Sequence, residues 1–144
     1  MAQRILVTAG AGGIGLAIAR AFAADGARVH IADIDAQALR AATQGDAGMT
    51  GSLADVSDPA AVARLFGDVE KTLGGLDVLV NNAGIAGPTA AADENDPEAW
   101  NAVVNVNLHG TFHVTRHAIP LLKQSKQASI IIMSSLAGRF GYPN

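Results

Sequence analysis

Between Thr8 and Gly15 the chain reads Thr8-Ala9-Gly10-Ala11-Gly12-Gly13-Ile14-Gly15, with four glycines in eight residues. A backbone with so few β-carbons turns tightly and lets a phosphate oxygen come close. If a helix begins here, its first N–H groups have no intrahelical acceptor and its dipole favours negative charge. The peptide groups of Gly10, Gly12, Gly13, Ile14 and Gly15 are therefore candidates to hold a pyrophosphate. Asp33 follows Gly15 by 18 positions. That spacing suits the acidic residue that accepts from a ribose hydroxyl in dinucleotide-binding βαβ units. A carboxylate there repels a 2′-phosphate, and the glycine segment carries no Lys or Arg to offset it. NAD is the expected cofactor, rather than NADP.

Other residue types give weaker signals. Ser134 and Ser135 close the run Ile130-Ile131-Ile132-Met133. A hydroxyl at the carboxyl end of a strand stands where open α/β sheets bind ligands. Two turn-forming serines give the same pattern. His109, His113 and His117 repeat every four residues and share a helical stripe, so two of them could grip a metal. No carboxylate or cysteine joins the stripe, and an ordinary helix face is expected. Asp93-Glu94-Asn95-Asp96 reads as helix capping and dipole complementarity rather than a calcium site. There is no Gly-x-Ser-x-Gly elbow for a serine hydrolase. The absence of cysteine excludes a thiolate metal site, a disulfide scaffold and a cysteine nucleophile.

The elements that must position these groups are legible as alternating apolar runs and helical patterns. Ile5–Thr8 is a short strand. Ile14, Ala17, Ile18, Ala21 and Phe22 fall on one face of a helix that Asp25-Gly26 ends. Val29–Ala32 is a second strand with Asp33 at its end. Asp35 caps a second helix that runs to about Thr43. Met49–Leu53 is a third strand. Ser57 or Asp58 caps the next helix, with Pro59 in its first turn and Gly74-Gly75 at its end. Leu76–Val80 contains a fourth strand, and Asn81–Asp96 is a loop. Asp96-Pro97 opens a long helix to about Lys126, which Pro120 is expected to kink or interrupt. Ile130–Met133 is a fifth strand.

Strands alternating with helices of this length imply βαβ units. The expected fold is α/β, a Rossmann-type doubly wound parallel sheet with helices on both faces, truncated after the fifth strand. Residues 1–144 then form one dinucleotide-binding domain, incomplete at the C-terminus. A strand as apolar as Ile130–Met133 belongs in a sheet interior. That predicts a polypeptide continuing past Asn144, or a partner that covers the strand.

The 144 residues are 49% hydrophobic and 16% charged, with a net charge of -3. This composition predicts a sizeable core and gives no basic field for nucleic acid or an anionic membrane. Apolar runs fall far short of the ~20 residues of a membrane helix. The N-terminus does not read as a secretory signal, and a cytoplasmic protein is expected.

Taken together, the motifs resemble the classical short-chain dehydrogenase/reductase family. Thr8, Gly13 and Gly15 match its Thr-Gly-x-x-x-Gly-x-Gly pattern. Ala9 stands where the family has its first glycine, and Gly10 beside it is expected to restore the flexibility. Asp55-Val56 resembles the adenine-binding pair, and Asn81-Asn82-Ala83-Gly84 the Asn-Asn-Ala-Gly motif. The resemblance implies that Asn82, Ala83 and Gly84 stabilise the sheet centre and line the nicotinamide side of the cleft. It implies that Asn107 is the helix asparagine of the proton relay, with Asn105 the competing alignment. It makes Ser135 the catalytic serine, with Ser134 the adjacent alternative.

The implied activity is NAD-dependent hydride transfer with a small-molecule alcohol or ketone substrate. The implied assembly is a homodimer or homotetramer in which the long helix packs against its copy. Val103, Val104, Leu108 and Phe112 could serve that contact or could face the sheet. The family's Tyr-x-x-x-Lys motif falls past Asn144. Tyr142 stands seven positions after Ser135 with no lysine behind it, and does not take the role. The residues present are thus expected to bind NAD without family-like turnover. The other function class left open is a catalytically inactive dinucleotide-binding or interaction module.

Overall fold

The computed structural model describes residues 2–44 and 48–141. Five strands form one sheet: β1 (Arg4–Thr8), β2 (Arg28–Asp33), β3 (Met49–Leu53), β4 (Val78–Asn81) and β5 (Ser129–Ile132). Their spatial order is β3-β2-β1-β4-β5, and every pairing is parallel. The order reverses direction beside β1, so the carboxyl ends of β1 and β4 diverge into a crevice. The helices are α1 (Gly13–Ala24), α2 (Ala36–Gln44), α3 (Pro59–Leu73), α4 (Pro97–Val104) and α5 (Thr111–Leu122). A π-helical segment, Asn105–Gly110, joins α4 to α5 without a break.

The inner strands β1, β2 and β4 bury side chains on both faces. Ile5, Val7, Val29, Ile31, Val78 and Val80 pack with Ala19 of α1 and with Leu39 and Ala42 of α2. Leu6, Ala32 and Leu79 pack on the other face with Val62, Leu65 and Val69 of α3 and with Val114 and Ala118 of α5. This two-sided burial is why the strands read as apolar runs rather than alternating ones. Among the described residues no helix is long and apolar enough to cross a membrane.

The helix ends follow the residues expected to set them. Asp35 Oδ1 accepts from the Gln37 and Ala38 N–H groups at 2.8 and 3.0 Å. Asp58, not Ser57, caps α3 by accepting from Ala60 N–H at 2.8 Å. Gly74 ends α3 at φ 73°, a conformation that favours glycine.

The inward face of α1 differs from the expected one. Gly15 and Ala19 are buried, with Leu16, Ile18, Phe22 and Ala23 packed around them. Ile14, Ala17 and Ala21 are exposed. The glycine and small residues let the helix lie close on the sheet, so the larger Ile14 is turned outward. The long helix also differs. It ends at Leu122 rather than near Lys126, and Pro120 sits within its last turn without interrupting it. The irregularity lies at Asn105–Gly110 instead. Asn81, expected to open the loop, completes β4.

The amino-terminal edge of the sheet is fastened by charge. Arg4 Nε and Nη2 donate to the two carboxylate oxygens of Asp77, each at 2.9 Å, and Ser125 Oγ donates to the same carboxylate at 2.6 Å. The guanidinium of Arg4, ahead of the other contacts, holds the Asp77 carboxyl well below the usual carboxylate range.

Candidate functional site

The sequence-predicted groups gather at the carboxyl edge of the sheet, where each loop leaves its strand. Thr8 ends β1 and is the hub of this edge. Its buried Oγ1 accepts from the Asn82 and Ala83 N–H groups, each at 3.0 Å. Asn82 Nδ2 returns to the Thr8 and Ala9 carbonyls at 3.0 and 3.2 Å. The glycine segment after β1 is thus tied to the segment after β4. The role of Thr8 was not drawn from sequence, although it opens the motif. A threonine at a strand end carries no signal of its own.

The glycines divide into two kinds. A Cβ on Gly10 would come 2.7 Å from the Ile31 side chain, and one on Gly15 would overlap the Ala9 carbonyl and come 2.6 Å from Asn82 Nδ2. These two permit close packing of the turn on β2 and of α1 on the sheet edge. Gly12 and Gly13 have open space where a Cβ would stand, and Gly13 adopts φ +50°. No side chain caps α1, whose N-cap is Gly12. The first-turn N–H groups of Gly13, Ile14 and Gly15 therefore have no side-chain acceptor and stand at the positive end of the helix. Gly10 does not relieve Ala9 as expected. The left-handed conformation falls on Ala9 itself, at φ 48°, which costs an L-residue about 1–2 kcal/mol.

Asp33, at the end of β2, is half-exposed. Its Oδ2 accepts from Ala11 N–H at 3.0 Å and its Oδ1 from Asp35 N–H at 3.1 Å. The carboxylate anchors the glycine segment and keeps lone pairs for a diol. Asp55, past β3, is exposed and accepts from Ser57 N–H and Oγ–H at 2.8 and 2.7 Å. Val56 turns its side chain into the core beneath Gly110, where a Cβ would come 2.7 Å from Val56 Cγ2.

Asn107 lies in the π-helical segment and clasps the chain just past Gly84. Its Oδ1 accepts from Ile85 N–H and its Nδ2 donates to the Ile85 carbonyl, both at 2.9 Å. Thr111 Oγ1 donates to the Asn107 carbonyl at 2.8 Å. Asn105, the competing alignment, pairs instead with His109 Nδ1 at 3.2 Å. Ser135 follows β5 and caps a short turn, Leu136–Gly138, accepting from Ala137 N–H at 3.2 Å. Its hydroxyl proton is not used by that bond. Tyr142 lies outside the described residues.

The remaining candidates lie on helices and at the surface. Among the described residues no group of three His, Cys, Asp or Glu side chains could hold a metal. His117 stacks on Phe66 of α3 with ring centroids 5.6 Å apart. Asp96 caps α4, accepting from Ala99 N–H at 2.9 Å. A shallow cavity opens at the opposite, amino-terminal edge between Arg4, Arg28, Asp77 and Lys126. Its two arginines are already engaged, Arg4 by Asp77 and Gly74 and Arg28 by the carbonyls of Thr72 and Leu73.

Comparison with known proteins bears on the fold and the family. The chain is 37% identical over 140 residues to 2-dehydro-3-deoxy-L-rhamnonate dehydrogenase (NAD(+)) of Sphingomonas sp., covering 96% of this chain and 56% of that one. It is 39% identical over 137 residues to D-beta-hydroxybutyrate dehydrogenase of Cupriavidus necator, covering 92% and 53%. The chain therefore spans a little over half the length of these relatives. The crystal structure of gox2181 superposes with a TM-score of 0.90 at 30% identity, over 99% of this chain and 57% of that one. A model of the short chain dehydrogenase family matches residues 3–144, and the chain belongs to that family.

Proposed function

We propose that this chain carries the dinucleotide-binding and substrate-orienting part of an NAD-dependent oxidoreductase, one that transfers hydride between nicotinamide and the carbon of an alcohol or ketone. The observation that carries the reading is the Asp33 carboxylate fixed against Ala11 N–H, beside the uncapped first turn of α1. One relative is named for NAD(+).

In this reading the Gly12–Gly15 peptides take the pyrophosphate, and Asp33 accepts from the adenosine ribose hydroxyls. Asp55 accepts from the adenine amino group while the Val56 backbone flanks the ring. Asn82 holds the glycine segment in place, and Ala83 and Gly84 border the nicotinamide side. NAD, when bound, supplies the hydride acceptor. Ser135 donates its hydroxyl proton to the substrate oxygen and orients it. Asn107 keeps the Gly84–Ile85 segment in position. A serine hydroxyl is too weak an acid to move the reaction's proton, a task that needs a group tuned toward neutral pH.

The second reading is a catalytically inactive dinucleotide-binding or interaction module built on the same Gly12–Gly15 turn and Asp33 carboxylate. Both readings share the cofactor site, so its specificity is tested first. Calorimetric titration should give NAD+ binding at least tenfold tighter than NADP+, a difference of about 1.4 kcal/mol. Asp33→Ala should erase the preference. Tighter NADP+ binding, or a preference that survives Asp33→Ala, overturns the assignment.

A further inference from the structure

A polar cluster outside the cleft lies between the sheet and α3, with His30 buried at its centre and its partners Ser52, Asp68 and Thr72 half-buried and Thr50 exposed. His30 of β2 is 1% exposed. Its Nδ1 lies 2.8 Å from Thr50 Oγ1 and 3.1 Å from Thr72 Oγ1, and its Nε2 lies 3.0 Å from Ser52 Oγ. Proton directions follow from the neighbours. Ser52 gives its only hydroxyl proton to Asp68 Oδ2 at 2.7 Å, so toward His30 it can only accept. The proton between them belongs to His30 Nε2. Thr72 spends its proton on the Asp68 carbonyl at 2.8 Å. Thr50 is left to donate to His30 Nδ1, its other acceptor being the Val29 carbonyl at 3.5 Å.

We propose that neutral His30, in its Nε2–H form, is a positioning residue that pins edge strand β3 to α3 and thereby holds the Asp55 side of the cleft, and that acid releases it. Among the described residues β3 is the outer strand of the sheet and pairs only with β2. Thr50 and Ser52, the two β3 side chains on the α3 side, both bond His30. Immediately beyond β3, Ala54 N–H donates to the Asp33 carbonyl at 2.9 Å, and Asp55 follows. A second proton on His30 would have to enter at Nδ1, displacing the Thr50 hydroxyl toward its longer contact. Burial holds His30 neutral down to about pH 4 against an ordinary 6.5, outweighing the attraction of Asp68.

Among the described residues the charged groups around the cluster are few. On α3 they are Asp68 and Lys71, 3.9 Å apart. On β2 itself Arg28 reaches the Thr72 carbonyl. Beside it on β1 stands Leu6, which has no charge. α1 and α2 pack on the opposite face.

The step from latch to cofactor rests on the dinucleotide reading; the latch itself does not. Amide exchange, corrected for intrinsic rates, should show β3 opening roughly fiftyfold more at pH 4.5 than at pH 7.5, because the released histidine takes up the proton the buried one refuses. β1 amides should not follow. His30→Gln keeps a donor and an acceptor but cannot titrate, and should lose this acid response. Ring-nitrogen NMR shifts of the unaltered protein should show the Nε2–H tautomer, whether or not the variant folds.

NAD+ affinity of the unaltered protein should fall with β3 protection and stay level in His30→Gln. Equal acid responses in the two proteins, joint loss of β1 and β3, or an Nδ1–H tautomer would overturn the latch. Opening of β3 with unchanged NAD+ affinity would overturn the positioning role. A protein that binds no NAD+ at any pH would overturn the dinucleotide reading, while the exchange comparison still decides the latch.

Discussion

Ala9 stands in a left-handed conformation with its carbonyl held by Asn82 Nδ2. Glycine adopts that conformation without the Cβ penalty, though it loses more freedom on folding. Ala9→Gly is therefore expected to raise stability by about 0.5 kcal/mol, read as a higher urea midpoint at unchanged slope. A lowered midpoint would mean that the turn does not strain Ala9. The position was legible as a departure from the family pattern. The residue that takes the strain was not, because neighbouring Gly10 offers the same freedom in sequence. Only the close approach of Gly10 to Ile31 shows why it is needed for packing instead. The place of Asp33 at the end of β2, by contrast, is legible from spacing alone, since a strand end after a glycine turn leaves little choice of position. Its bond to Ala11 N–H could not be found that way.

The joined helix Pro97–Leu122 shows what element-level reading can and cannot reach. Its start was legible in Asp96-Pro97, and Asn107 in its sequence context. Pro120 is the break that the sequence suggests, yet it lies where the helix is about to end. The π-helical segment has no comparable residue signal. It arises where Asn107 faces the chain after β4 and bonds both polar groups of Ile85. Asn107→Ala removes both bonds and is expected to cost about 1–3 kcal/mol. Faster amide exchange should be concentrated at Gly84–Ile85. Loss spread evenly over the sheet would contradict the clasp. The inward face of α1 was misread for a related reason: apolar periodicity picked Ile14, whereas close packing selected Gly15 and Ala19.

For the whole molecule, alternating strands and helices were enough to give a parallel sheet with helices on both faces. What sequence left open was which apolar residues remain outside. Leu108 is 63% exposed and Phe112 58%, so they do not face the sheet. They support the proposal that the long helix packs against its copy in a homodimer or homotetramer. Light scattering at micromolar concentration should then give a multiple of the monomer mass, reduced by Leu108→Ser with Phe112→Ser. A monomer in the unaltered protein would contradict it. Ile130, Ile131 and Ile132 of β5 are also 39–57% exposed among the described residues, unlike the strands they resemble in composition.

The central claim is the location of the dinucleotide at the carboxyl edge of the sheet, and amide NMR during NAD+ titration tests it most directly. Shifts should concentrate at Gly12–Gly15, Asp33, Asp55–Val56 and Ala83–Gly84. Amides of Arg4, Asp77 and Ser125 at the opposite edge should remain in place. Shifts confined to that opposite edge, or none at saturating NAD+, would contradict the account.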